Sequence, residues 1–152
     1  GDVYKRQAKG GGVGFYKKKT NVKILINALT VHNIEGMSVE IFEDETVILV
    51  IYRPSVLPVD NFLQSLQRVI DFYKKRFLHI IIAGDLNEDA KTQGPIQSFC
   101  ESIGLVQMVH FYTTEGGTIL DHVYGNNPLK ICVHKVPFYF SYHEGIEIHL
   151  KN

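Results

Sequence analysis

The sequence predicts an α/β domain in which a sandwich of mixed β-sheets is flanked by helices. A strand, an amphipathic helix and a wholly apolar strand follow one another over residues 47–83, an order that places a helix over a largely buried sheet. Beyond residue 105, short strands predominate and helices become rare. This change favours a mixed sandwich over a purely doubly wound sheet.

Size and composition indicate one globular domain. The chain has 152 residues, of which 45% are hydrophobic, enough for a sizeable core. It contains neither an apolar run of about 20 residues nor the order of a secretory signal, so we expect no membrane partner and an intracellular location. Cys100 and Cys132 lack the paired spacing of a zinc site, and we expect both to be buried thiols in a reducing compartment.

The charge balance limits how the chain can recognise nucleic acid. Sixteen basic and sixteen acidic residues cancel, so no strong overall field attracts DNA. This counts against binding through charge alone. It leaves open an enzyme that engages phosphate through a metal ion and a few placed donors.

Hydrophobic periodicity predicts the elements in order. Met37, Val39 and Ile41 alternate with polar residues, and an acidic turn leads to the next strand, so this pair reads as a hairpin. Apolar residues then recur at intervals of three and four over a helix at about 60–76. The other predicted elements are strands at 13–17, 22–26, 47–52 and 78–83, a helix at 95–102, and strands at 106–109, 118–124, 130–136 and 145–150.

The first seven residues look foreign to the domain. The string "DVYKRQ" is what the codons GAT GTG TAT AAG AGA CAG encode, a transposase end sequence used in preparing sequencing libraries. We therefore interpret residues 1–7 as a sequencing-adapter artefact and exclude them from the fold prediction.

Four polar residues stand where an apolar pattern is interrupted. Asp85 and Asn87 follow the strand "IIIA", at the kind of position where open α/β sheets gather ligands, although "GDLN" is equally compatible with a turn. Asp121 interrupts an apolar strand, and His143 precedes the last strand. A buried aspartate needs a partner, and a histidine is a natural one. Each residue taken alone is more often structural than catalytic.

Five short stretches in order carry a family resemblance. The stretches "GGVGFY", "IYRPS", "AGDLNED", "TILDHVY" and "FSYHEG" are similar to motifs of the endonuclease/exonuclease/phosphatase family, most strongly the endonuclease domain of non-long-terminal-repeat retroelements. The resemblance runs from about residue 10 to the end. It implies two mixed sheets in a four-layer sandwich, with the first strands missing, and a single truncated domain over residues 8–152.

The resemblance also implies roles for five residues. Asp85 orients or deprotonates the attacking water, and Asn87 holds that water or a phosphate oxygen. His143 donates to the phosphoryl oxygens, Asp121 fixes the tautomer of that histidine, and Tyr52 hydrogen-bonds the phosphate or supports the metal.

The same resemblance implies a cofactor and a substrate. Asp85 and Asn87 would hold Mg²⁺ or Mn²⁺, and the substrate would be DNA, cleaved at phosphodiester bonds. We expect a monomer, located in the nucleus if the chain belongs to a eukaryotic retroelement.

Two departures from the family pattern predict weak or absent activity. The family's amino-terminal Asn and its metal-ligating Glu would precede Gly10, and Glu35 and Glu40 lie too late in the chain to take the latter role. In addition, Tyr142 stands where the family has aspartate. A phenol that is neutral near pH 7 is a poor ligand for Mg²⁺, so we expect weakened metal binding.

Two alternatives keep the fold and change the function. One is a catalytically inactive module that binds nucleic acid or protein, which the missing ligands favour. The other is a phosphatase of the same superfamily, which the "YRP" and "LDHVY" stretches make less favourable. The remaining histidines, among them His122, His134 and His149, show no ligand-like spacing, and His122 is expected to face away from Asp121.

Overall fold

The computed structural model describes residues 22–136 and 145–151, together with the backbone of two strands near the amino terminus. These two strands, β1 (Asp2–Ala8) and β2 (Gly11–Lys17), pair with each other in an antiparallel hairpin. Only β2 is predicted from the sequence, because residues 1–7 are interpreted as adapter-derived. That interpretation concerns their origin and stays a prediction.

A mixed six-stranded sheet forms the centre of the molecule. Its strands are β3 (Ile24–Ala28), β4 (Glu35–Ile41), β5 (Thr46–Tyr52), β6 (His79–Asp85), β7 (Val106–Gln107) and β8 (Asp121–Gly125). Their spatial order is β3-β4-β5-β6-β8-β7, and β5 and β6 run parallel whereas the other neighbours are antiparallel. The mixed sheet confirms the predicted α/β class.

Helices α1 (Val59–Lys74) and α2 (Pro95–Ser102) cover one face of this sheet. The predicted stripe of α1 is buried, with Phe62, Leu66 and Val69 at most 1% exposed. It packs against strand residues such as Leu49 and Ile82. Burial of each such side chain contributes about 1.5–3 kcal/mol, so packing on the sheet holds the helix. No helix in the described part of the chain is long and apolar enough to cross a membrane.

The opposite face of the sheet forms a second core. Ile48, Val50 and Ile81 contribute to it, and a hairpin of β9 (Ile131–Val136) and β10 (Gly145–Leu150) packs onto it through alternate residues. Where this second layer is described it is two-stranded and antiparallel. The predicted four-layer arrangement of two mixed sheets stays a prediction.

Strand β6 is buried on both faces, and three consecutive isoleucines, residues 80–82, supply much of that apolar surface. Polar contacts fix its start. The side chain of Asn126 accepts a hydrogen bond from the Ile80 amide at 2.9 Å and donates one to the Leu78 carbonyl at 3.0 Å. Asn126 thereby extends the β6–β8 ladder beyond the end of β8.

Two strands are shorter than predicted because side chains replace ladder bonds. Strand β7 stops at Gln107, whose side chain bonds both the amide and the carbonyl of Val109. Strand β8 begins at Asp121 and not at residue 118, since the Thr113 hydroxyl accepts from the amides of Leu120 and Asp121 at 3.0 and 3.1 Å. Side-chain bonds of this kind compete with a regular strand.

Candidate active site at one end of the central sheet

Three predicted site residues lie at the same end of neighbouring strands. Asp85 and Asp121 are register partners in the β6–β8 pair. Tyr52 and Asp85 each lie two residues beyond Val50 and Ala83, which are partners in β5–β6. Because side chains alternate along a strand, all three continue the row that faces the second core, away from the helices.

The loop after β6 is closed by a turn. The Asn87 amide donates to Oδ1 of Asp85 at 3.0 Å, and Asn87 adopts a left-handed conformation with φ of 50°. Asparagine tolerates this conformation better than most residues. One carboxylate oxygen of Asp85 therefore closes the turn that "GDLN" allows. This hydrogen bond fixes how Asp85 and Asn87 lie relative to each other.

The Asn87 side chain is oriented by the backbone of β5. Its Nδ2 donates to the Arg53 carbonyl at 2.6 Å. The amide oxygen has no hydrogen bond to any residue that the structure describes. It is thus a hard oxygen donor beside the Asp85 carboxylate, and donors of this kind suit a divalent cation or a water molecule.

Arg53 holds this loop in place, a role that sequence reasoning missed. Its guanidinium is only 7% exposed and donates to the carbonyls of Leu86 and Asn87, both at 3.1 Å, and of Leu57 at 2.9 Å. Its backbone amide donates to the Asp85 carbonyl at 2.9 Å. The sequence signal was present in the "YRP" stretch, where Arg53 could be taken for an ordinary strand end.

Gly84 allows β5 and β6 to approach closely beside the site. Its φ is +143°, and a Cβ atom there would lie 1.8 Å from the Ile51 carbonyl oxygen. Any other residue at this position would push the strands apart next to Asp85.

Glu88 and Asp89 follow the predicted pair and act structurally. The Glu88 carboxylate accepts from the amides of Ile96 and Gln97 at 2.9 and 3.0 Å, which caps the start of α2. Asp89 Oδ1 accepts from the amides of Ile119 and Lys91. Burial alone would raise the pKa of Asp89, but these hydrogen bonds outweigh it and lower the pKa.

The side chain of His122 lies on the helix side of β8, and that of Asp121 lies on the other face of the sheet, as the strand alternation predicts. It is fully buried, and its Nε2 donates to the carbonyls of Glu88 and Ile119 at 2.6 and 3.1 Å, while Nδ1 accepts from the Tyr124 hydroxyl at 2.7 Å. Burial lowers the pKa of His122 in spite of these carbonyl bonds, so the imidazole is neutral at pH 7. It serves to anchor the loop after β6.

The remaining predicted residue, His143, lies outside the described residues, as do Ser141 and Tyr142. Its pairing with Asp121 therefore stays a prediction. Within residues 22–136 and 145–151, no three His, Cys, Asp or Glu side chains already surround a common metal position. The oxygen donors of Asp85 and Asn87 nonetheless fit the preference of Mg²⁺ for hard ligands.

The α/β fold of this chain is similar to that of solved nucleases and of an endonuclease/exonuclease/phosphatase family protein. No family model matches the sequence, and no curated protein matches it. The likeness is to solved structures and at low sequence identity, so it concerns the fold.

Three solved structures illustrate the likeness, and each aligns with 99% of this chain. The endonuclease domain of TRAS1, a telomere-specific non-LTR retrotransposon, has a TM-score of 0.72 at 16% identity, with 78% of its own length covered. The 3′-5′ exonuclease NExo from Neisseria meningitidis has a TM-score of 0.62 at 12% identity, with 79% covered. An endonuclease/exonuclease/phosphatase family protein from Leptotrichia buccalis C-1013-b has a TM-score of 0.58 at 18% identity, with 72% covered.

Proposed function

We propose that this chain is a DNA endonuclease domain of retroelement type, a phosphodiester hydrolase dependent on a divalent metal, in which Tyr142 impairs catalysis. The observation that carries the proposal is the convergence of Tyr52, Asp85 and Asp121 at one end of the central sheet, with Asn87 held beside them. Three similar structures that include a retrotransposon endonuclease domain and an exonuclease support it.

The chain's own groups can perform the steps of phosphodiester hydrolysis. Asp85 orients the attacking water and accepts its proton, and Asn87 fixes that water or a phosphate oxygen through its side-chain amide. Tyr52 donates a hydrogen bond to the phosphate. His143 donates to the phosphoryl oxygens as negative charge builds, and Asp121 fixes the tautomer of the imidazole.

Asp85 and Asn87 would hold Mg²⁺ or Mn²⁺. Such an ion, when bound, supplies positive charge that stabilises the anionic in-line displacement. Tyr142 replaces the second carboxylate that the family resemblance implies, so binding of the ion depends on fewer charged oxygens and is weakened. The domain acts as a monomer on DNA inside the cell.

Plasmid nicking with Mg²⁺ present tests the proposal. We expect slow nicking by the chain and at least a tenfold increase in Tyr142→Asp, equivalent to about 1.4 kcal/mol in the barrier. Tyr112→Asp is the matched control, since Tyr112 is an exposed tyrosine elsewhere. Combining Asp85→Ala with Tyr142→Asp should abolish nicking. A Tyr142→Asp variant that binds Mg²⁺ yet cuts no faster than the original would contradict the assignment.

A second candidate, a binding module without activity, is favoured by Tyr142 itself. It predicts salt-dependent DNA binding with no cleavage even after Tyr142→Asp. Cleavage of a phosphoinositide or a phosphorylated sugar by the same variant, with DNA untouched, would instead indicate a phosphatase. The three outcomes are distinguishable in one set of assays.

A further inference from the structure

The outward face of the β9–β10 hairpin carries four side chains that commonly bind metal ions. Cys132 is the register partner of His149, and His134 is the register partner of Glu147. The residues between them in each strand, such as Val133 and Ile148, pack on the second core. Alternation therefore turns all four of these side chains away from the core, onto one surface.

The four side chains contact one another closely. The Cys132 sulfur lies 3.2 Å from Nε2 of His134. The rings of His134 and His149 are 5.1 Å apart between centroids and nearly perpendicular. Nε2 of His149 contacts a Glu147 carboxylate oxygen, and these two side chains are 41% and 50% exposed. Solvent and dissolved ions thus have access to the group.

In the side-chain conformations of the structure, the donor atoms contact each other in pairs, and no three of these groups within the described ranges surround a common point. Small rotations of exposed side chains can change this arrangement. Opposite residues of an antiparallel pair have Cβ atoms about 4.5–5.5 Å apart. Ligand atoms of a tetrahedral zinc site lie about 3.3–3.8 Å from each other, as Zn–S and Zn–N bond lengths imply. The sulfur and nitrogen of Cys132 and His134 already approach this separation.

We propose that Cys132, His134, Glu147 and His149 form a four-ligand Zn²⁺ site. A thiolate, two imidazoles and a carboxylate are ligands that zinc takes in proteins, and the sulfur and nitrogen donors favour zinc over Mg²⁺. On binding, the Cys132 thiol gives its proton to solvent and its sulfur forms the bond to zinc, with no change in oxidation state.

Sequence spacing does not reveal this site. A Cys-x-His pair and a Glu-x-His pair are each too short to indicate a metal. Twelve residues, 135 to 146, separate His134 of the first pair from Glu147 of the second. The antiparallel register brings the pairs together. Cys132 is also half-buried and not buried, contrary to the sequence expectation, because it lies on the outward face of β9.

The site would link the two strands of the hairpin next to the segment that contains His143. Val136 and Gly145 are the last paired residues of β9 and β10, and residues 137–144 connect them. A zinc ion bound to both strands holds the two ends of this connection at a fixed separation. Four protein ligands leave no open position, so the role is structural.

Zinc titration of the full chain against a chelating dye, with metal analysis after dialysis, tests the proposal. We expect about one bound Zn²⁺ per chain, and affinity at least tenfold weaker in Cys132→Ser and in His149→Gln. The controls Cys100→Ala and His110→Gln change a cysteine and a histidine outside the hairpin and should bind as the original does. Asp85→Asn should also leave zinc affinity unchanged, which separates this site from the proposed active site.

Two further readouts keep the test decisive. Co²⁺ bound in place of zinc should give a thiolate-to-metal charge-transfer band that Cys132→Ser lacks. Zinc should also slow the reaction of Cys132 with a thiol reagent at least tenfold in the Cys100→Ala background. Circular dichroism establishes that each variant is folded. Absence of bound zinc, or equal affinity in the original chain and both hairpin variants, would overturn the proposal.

Discussion

Asp85, the last residue of β6, and Asp121, the first residue of β8, lie directly opposite each other across this strand pair. Like charges in opposite positions of an antiparallel pair destabilise a sheet. The pairing is therefore expected to lower the stability of the sheet, and on the proposed function a cation bound here would offset the repulsion between the two carboxylates.

Replacing Asp121 by Asn should preserve stability and, on the proposed function, lower activity. Relief of the repulsion with Asp85 offsets the loss of other contacts of the Asp121 carboxylate, so we expect the free energy of unfolding to change by less than about 0.5 kcal/mol. Urea denaturation measures this change. Asp71→Asn is the control, because Asp71 forms an exposed ion pair with Lys74 at 2.9 Å and should have little effect. A loss above 1 kcal/mol in Asp121→Asn would show that its carboxylate is chiefly structural.

Arg53→Gln should destabilise the domain by about 2–3 kcal/mol. The change leaves the carbonyls of Leu57, Leu86 and Asn87 without their charged donor. Arg68→Gln on the exposed side of α1 should cost less than about 0.5 kcal/mol. Denaturant midpoints of the two variants, measured side by side, check this. Similar midpoints would mean that the loop after β6 does not depend on the guanidinium.

Gly84→Ala should cost more than Gly104→Ala. Both positions have positive φ, at +143° and +84°, but a Cβ at Gly84 meets the Ile51 carbonyl at 1.8 Å whereas one at Gly104 meets nothing within 4 Å. We expect about 1 kcal/mol at Gly104 from backbone strain and at least about 3 kcal/mol at Gly84. Thermal unfolding of both variants separates strain from collision, and equal losses would argue against the close approach of β5 and β6.

Because His122 is buried and neutral, the free energy of unfolding should decrease as the pH is lowered from about 6.5. Burial lowers the pKa of His122 from its usual 6.5, so the unfolded chain gains a proton as the pH falls while the folded chain does not. Stability from this group is therefore present above pH 6.5 and is lost as the pH approaches the folded pKa. Urea unfolding at several pH values should show a flatter dependence in His122→Asn than in the original chain or in His110→Gln. An unchanged slope in His122→Asn would assign the pH dependence to other groups.

Periodic apolar patterns predicted most of the fold. The stripe of α1 and the strand at 145–150 follow from apolar residues that recur at regular intervals, and the bounds of α2 at 95 and 102 are as predicted. The ends of β7 and β8 do not, since Gln107 and Thr113 replace ladder bonds with side-chain bonds. Such local competition depends on a geometry that periodicity does not encode.

The residues of the candidate site are visible in the sequence to different degrees. Asp85 and Asp121 interrupt apolar strands, whereas Tyr52 is singled out only by the family resemblance of the "YRP" stretch. The supporting groups are less visible, because Arg53 and Gly84 act through backbone atoms of distant segments. A contact that depends on two strands lying side by side has no signature within either strand alone.

The three isoleucines at residues 80–82 mean that a shift of β6 by one position would leave isoleucine at two of these three positions. At those two positions the shift would exchange identical side chains between the two cores, yet it would carry Asp85 to the wrong face. The information that prevents this error therefore lies at the strand's two ends, in the Asn126 amide and in the Arg53 contacts to the following loop. Substitution of Asn126 or of Arg53 would therefore misplace the Asp85 carboxylate, although neither change alters the apolar composition of the domain.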